Sequence, residues 1–173
     1  MILGAVLAGG RSSRFGSDKA MAQLHGRPLI DHVIDSLATV TSHIVVCGRP
    51  YGGWTSLADR PAPDLGPLGG LAAALHHAAT NGFDRVITAP CDTPLLSESL
   101  LIRLRDAEGD ACLADLPVIG IWRSGATARL EAHLRTTRRR SMRHWSETLR
   151  AELLPHPAPA NINRPADLDL LHS

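Results

Sequence analysis

The chain has 173 residues, near the roughly 150 of one ordinary domain, so a multidomain machine is excluded and one folding unit over residues 1–173 is expected. Eighteen basic against 17 acidic side chains leave a formal net charge of +1, which lacks the positive field of a non-specific nucleic-acid binder. Hydrophobic residues at 44% and charged residues at 20% exclude intrinsic disorder.

The apolar start, Met1 to Gly10, is too short for a membrane span and lacks the basic flank of a secretory signal, so a cytoplasmic protein without a membrane partner is expected. Cys47, Cys91 and Cys112 lie far apart with no C-x-x-C pair, which points to reduced, mostly buried thiols. Seventeen of the basic residues are arginine, and Lys19 is the only lysine.

Ile2 to Ala8 is a near-continuous apolar run halted by Gly9-Gly10, the pattern of a strand buried on both faces. A polar loop, Arg11 to Lys19, follows. From Pro28, a helical stripe runs through Leu29, Ile30, Val33, Ile34, Leu37 and Val40. Ile44 to Cys47 is a second strand, and a short strand over Ser56 to Ala58 ends at Asp59. Gly66-Pro67 opens a helix that Asn81-Gly82 closes. Arg85 to Ala89 forms a strand that delivers Pro90-Cys91-Asp92-Thr93-Pro94, and Ser97 caps a helix to about Ala107. Strands over Ala111 to Ala114 and Val118 to Trp122 precede helices over Ala126 to Thr136 and Ser141 to Arg150. A strand at Leu153-Leu154 and a terminal helix after Pro165 complete the chain. This alternation predicts a Rossmann-like three-layer α/β/α sandwich with a mainly parallel sheet.

In open α/β sheets, ligands sit beyond the carboxyl ends of the strands. The loop from Leu7 to Lys19 matches neither a Walker A nor a G-x-G-x-x-G pattern. Its glycines let main-chain N–H groups approach an anion, Arg14 can fork onto phosphate oxygens, and Lys19 can act as a point charge. The same residues read equally as a glycine turn with solvated charges. Asp92, between two prolines at a strand end, is either a hard oxygen ligand for Mg²⁺ beside substrate phosphates or a turn cap. Asp59 poses the same choice, and Asp64 reads as a turn residue. His76 and His77 are adjacent on a helix and cannot share a metal, and Trp122 and Trp145 read as core or pocket walls.

Four segments carry a resemblance: L-A-G-G-x-S-x-R-x-G-x-D-K over Leu7 to Lys19, G-P-L-G-G over Gly66 to Gly70, P-C-D-T-P over Pro90 to Pro94, and N-I-N-x-P-x-D-L over Asn161 to Leu168. In this order, and over nearly the whole chain, they resemble the molybdenum cofactor guanylyltransferases, the MobA-like nucleotidyltransferases of GT-A-like fold. The resemblance implies that molybdopterin attacks the α-phosphate of GTP, giving the guanine dinucleotide cofactor and pyrophosphate, with Mg²⁺ or Mn²⁺ as the metal. A nucleotide-binding half over about 1–95 and an acceptor-binding half over about 96–173 follow from it.

By the same resemblance, Leu7, Ala8, Gly9 and Gly10 would lie along the nucleotide, Arg14 and Lys19 would contact its phosphates, and Asp59 would help hold it. Asp92 would ligate the metal, and Asn161 and Asn163 would border the acceptor side. Cys47 stands where relatives place a polar contact. The second half departs from the family: the stretch before N-I-N is short, and Leu116 replaces a histidine before proline. CTP as donor, or a non-catalytic cofactor carrier, are the competing readings. Between Arg123 and Arg150, eight arginines face two acids, Glu131 and Glu147. That patch could receive the anionic pterin or a protein that delivers or accepts the cofactor, or it could be a solvated helix face.

Overall fold

A computed structural model of the chain describes residues 1–9, 19–157, 159, 160, 162 and 167, with Lys19 described by its backbone alone. Strand β1 (Ile2–Leu7) is apolar throughout because both its faces are covered. Leu3, Ala5 and Leu7 point into one core cluster, and Val6 points into the other, the period-two alternation of a central strand. The first cluster is closed by α2 (Pro67–Thr80), α4 (Thr127–Thr136) and α5 (Met142–Leu149). The second is closed by α1 (Leu29–Ala38) and α3 (Glu98–Asp106). The three expected layers follow.

The remaining strands are β2 (Gln23–Leu24), β3 (Arg27–Pro28), β4 (His43–Cys47), β5 (Thr55–Leu57), β6 (Arg85–Pro90), β7 (Ala111–Leu113), β8 (Gly120–Arg123) and β9 (Glu152–Leu154). The main sheet has seven strands in the order β5-β4-β1-β6-β8-β7-β9. β5, β4, β1 and β6 pair in parallel, while β8 pairs antiparallel with both β6 and β7. Because β8 runs against its neighbours, α4 leaves it at the pole opposite the ends of β1 and β6. The chain then returns along α2, and the loop between α4 and α5 comes back to the carboxyl pole, where the Arg143 guanidinium donates to the Ala114 carbonyl at 3.2 Å.

Most boundaries shift from the sequence reading by a residue or two, and two of the shifts have a visible cause. The strand expected from Val118 begins at Gly120, because Pro117 and Val118 sit in a turn closed by Ile119 N–H to Leu116 O at 3.0 Å. The Val118 carbonyl instead accepts from Thr88 Oγ1 at 2.8 Å, and Trp122 Nε1 donates to the same hydroxyl at 2.9 Å. That buried chain fixes the β6–β8 register and makes Trp122 a core residue. The helix expected from Pro28 starts one residue later, because Pro28 ends a two-stranded hairpin that the sequence reading did not foresee. Its turn, His25-Gly26, holds φ at 51° and 75°, the double positive φ of a tight primed turn. Ser97 and Ser141 cap α3 and α5 through their hydroxyls, accepting from Leu100 and His144 N–H. The terminal helix expected after Pro165 lies outside the described residues, apart from Asp167.

Candidate active site

Strands β5, β4, β1 and β6 end at one pole, and the loops leaving them remain stitched together for one more residue. Ala8 N–H donates to Cys47 O at 2.9 Å, Gly48 N–H to Leu57 O at 2.8 Å, and Cys91 N–H to Leu7 O at 3.1 Å. Gly48 has φ of 90°, and a Cβ there would lie 2.4 Å from Gly9 Cα, so neither the conformation nor the space admits a side chain. A cleft of about 530 Å³ opens here, lined by Gly9, Gly48, Asp59, Asp64 and Gly66 among others.

Asp59 stands two residues past β5, with its carboxylate accepting the Leu65 N–H. Gly69, in the first turn of α2, lies under it: a Cβ there would be 2.9 Å from Asp59 Cγ. Burial holds the Asp59 carboxyl above its ordinary value, the Asp64 charge pushes the same way, and the Leu65 N–H opposes both. Asp64 is the expected turn residue, at φ 59°, but it also lines the cleft. Cys47 is buried beneath, and burial followed by the Asp59 charge pushes its thiol up to about 12. A neutral, enclosed thiol is a wall and not a nucleophile.

Asp92 follows β6 on the other side of β1 from Asp59. Its Oδ1 is buried, and its main-chain carbonyl accepts from Ile162 N–H at 2.9 Å. The strand ends that carry Asp59 and Asp92 are three strand spacings apart, about 14 Å. The Asp59 side chain reaches inward from β5, its Oδ1 lying 3.9 Å from where a Cβ on Gly9 would stand, just past the end of β1. Lys19 begins a short 3₁₀ turn, Lys19–Met21, whose Ala20 packs in the cluster holding Val6 of β1 and Ala89 of β6. The turn packs against α1, on the sheet face that Val6 and Ala89 share. Gly10, Arg14, Asn161 and Asn163 lie outside the described residues.

Much of the arginine excess has structural work. Arg123 grips buried Asp110 through Nε and NH2 at 3.1 and 2.8 Å, Arg129 donates to Thr148 O, and Arg135 reaches Glu131. Arg138, Arg139 and Arg140 are exposed in the loop between α4 and α5. The sequence reading missed Gly48, although a glycine directly after an apolar run was its available signal, and it missed the cleft-lining position of Asp64. It also missed the pairing of Arg60 Nε with Glu131 Oε1 at 2.9 Å. Among the described residues, no group of three or more His, Cys, Asp or Glu side chains could hold a metal by itself, and no helix is long and apolar enough to cross a membrane.

A mainly parallel sheet with one reversed strand, and a glycine-lined cleft flanked by carboxylates at the strand ends, are the architecture of a nucleotide-handling α/β enzyme, and the family match makes this chain a nucleotidyltransferase. The family model of the MobA-like NTP transferase domain matches residues 4–152, and the chain belongs to that family. It is 46% identical over 113 residues to a molybdenum cofactor guanylyltransferase of Xanthomonas euvesicatoria pv. vesicatoria, an alignment spanning 64% of this chain and 57% of that one. It is 33% identical over 180 residues to a molybdenum cofactor guanylyltransferase of Vibrio cholerae, covering 94% and 87% of the two chains. The fold matches the crystal structure of molybdopterin-guanine dinucleotide biosynthesis protein A from Archaeoglobus fulgidus, with TM-score 0.69, 22% identity and coverage of 98% and 96%. It also matches a Mycobacterium tuberculosis protein solved in complex with manganese, with TM-score 0.63, 15% identity and coverage of 98% and 97%.

Proposed function

We propose that this chain transfers GMP from GTP to the terminal phosphate of molybdopterin, releasing pyrophosphate and forming the guanine dinucleotide cofactor. The observation that carries this reading is the cleft at the ends of β5, β4 and β1, lined by side-chain-free Gly9 and Gly48 and by the Asp59 carboxylate, which lies beside Gly9. The names borne by the sequence relatives point the same way.

Leu7, Ala8, Gly9 and Gly10 would lie along the guanine and ribose, with Asp59 accepting hydrogen bonds from nucleotide N–H or O–H groups. The span of about 14 Å from the end of β5 to the end of β6 suits a nucleotide laid across β4 and β1, with its phosphates toward Asp92. Arg14 and Lys19 would meet the phosphate oxygens there. Asn161 and Asn163 would border the acceptor.

The donor set fits a hard divalent cation. Asp92 supplies an oxygen ligand, and Mg²⁺ typically takes only one or two carboxylates, completing its shell with phosphate and water oxygens. When bound, Mg²⁺ or Mn²⁺ neutralises charge on the phosphate oxygens. The chain itself supplies positioning: an acceptor phosphate oxygen attacks the α-phosphorus in line, the bond to the bridging α–β oxygen breaks, and pyrophosphate leaves with that electron pair. No protein nucleophile is required, consistent with the buried neutral thiol of Cys47. This reading assigns the protein to the cytoplasm and gives it partners that deliver or receive the cofactor.

The test is a panel of nucleoside triphosphates with and without Mg²⁺, read by thermal shift, then pyrophosphate release on adding molybdopterin. Stabilisation by GTP with Mg²⁺, and pyrophosphate release, are expected. Selective stabilisation by CTP would replace the donor, and binding of both ligands without release would make the chain a carrier.

A further inference from the structure

Arg60 follows the cleft-lining Asp59 directly, and both its main chain and its side chain are tied down. Its N–H donates to the Gly69 carbonyl in the first turn of α2 at 3.1 Å. Its Nε donates to Glu131 Oε1 of α4 at 2.9 Å, across 71 residues of sequence. Glu131 is largely enclosed, with its side chain 14% exposed, whereas Arg60 remains 40% exposed. The second Glu131 oxygen faces Arg135 at a looser 3.5 Å. Asp59 is thus held from one side by Gly69 and Leu65 and from the other by a residue anchored on α4.

We propose that Glu131 is a positioning residue for the nucleotide cleft, acting through Arg60 to hold the Asp59 carboxylate at the cleft wall. This rests on the reading of Asp59 as a nucleotide contact. A short ion pair with one partner mostly shielded from water, in a helix already packed on α2, constrains geometry better than an exposed surface pair does. Once released, the Arg60 side chain no longer ties the segment after Asp59 to α4, leaving the main-chain bond to Gly69 and the buried Leu65 side chain to hold it. Asp59 loses its hold on the α4 side and samples positions away from the cleft wall. Ground-state nucleotide binding falls, while the chemical step at the far end of the nucleotide is left alone.

The experiment uses the full chain, Mg²⁺ and GTP carrying a fluorescent N-methylanthraniloyl group, read by equilibrium fluorescence titration. Glu131→Ala and Arg60→Ala should each weaken binding about fivefold, and the double variant should be no weaker than either single one, as expected of two groups acting as one unit. Glu131→Gln should retain most of the affinity, because its amide oxygen still accepts from Arg60 Nε, and it provides the reading if Glu131→Ala does not fold. Arg135→Ala should bind as the wild type does. In turnover, Glu131→Ala should raise KM for GTP with kcat within about twofold of wild type, the signature of lost uniform binding. Additive losses in the double variant, or unchanged binding by Glu131→Ala, would overturn the proposal while the nucleotide site stands. A wild-type chain that binds no nucleotide would remove the site and the strut together.

Discussion

The main-chain N–H of Ile162 donates to the carbonyl oxygen of Asp92, joining the last motif of the chain to the end of β6 at 2.9 Å. The Ile162 side chain, 1% exposed, completes a small cluster with Leu24 of the β2–β3 hairpin and Leu29 of α1. That hairpin begins just after the turn that opens at Lys19. One residue therefore ties the segment after Lys19 to the loop bearing Asp92, without bringing any chemistry of its own.

Ile162→Ala should cost about 2 kcal/mol or more in urea unfolding, the range for emptying a buried aliphatic site, and Ile162→Val under about 1.5 kcal/mol. Because the same residue pins Asp92, turnover of the alanine variant measured well below its midpoint should fall more than its folded fraction does. Turnover that follows the folded fraction alone would show that the pin has no part in the site.

Asp92→Asn keeps the shape of the side chain and removes its charge. Loss of one electrostatic contact of this kind typically costs about 10²- to 10³-fold in rate. The variant should show that loss in pyrophosphate release, a wild-type melting temperature, and little further response to a chelator that silences the wild-type protein. A variant that retains full metal-dependent turnover would mean the metal is held elsewhere.

Asp59 gives a pH prediction with a definite sign. Its folded-state pKa lies above the ordinary carboxylate value of 3.8, chiefly through burial, so ionisation costs the folded state stability. The cost is absent below 3.8, where folded and unfolded states are both protonated, grows as pH rises to the raised value, and is constant above it. Asp59→Asn, whose amide oxygen can still accept from Leu65, should therefore be more stable than wild type at pH 7. The difference should vanish in denaturant titrations as pH falls through that window. Its nucleotide binding should weaken over the same neutral range in which its stability gains.

Gly69→Ala sets two effects against each other. Alanine favours a helix by roughly 0.5–1 kcal/mol over glycine, but the new Cβ would sit 2.9 Å from both Asp59 Cγ and Leu65 Cβ. Asp59 can swing toward the cleft, but Leu65 is buried and its Cβ moves only with the main chain. The expected outcome is a lowered melting temperature together with nucleotide affinity reduced several-fold. A variant that binds normally would mean that the Asp59 position seen here is not the binding position.

The sequence alone determined the α/β class, the order of nearly all elements, and the family through its four motifs. Apolar runs, the 3.6-residue stripe of α1 and the cap at Ser97 are local signals, carried by residues only a few positions apart. It also singled out Asp59 and Asp92, because ligand sites follow strand ends and strand ends can be read from glycine and proline, while Leu7, Ala8 and Gly9 came from the resemblance. Other features depended on segments that meet only after folding. The reversal of β8 is set by pairing with β6 and β7, and it carries the α4–α5 loop back to the cleft pole. The contact of Gly9 with Gly48, the pairing of Arg60 with Glu131, and the insertion of Ile162 between Leu24 and Leu29 join residues far apart in the chain. Their register is decided by packing and main-chain hydrogen bonds across the sheet, which no local pattern encodes.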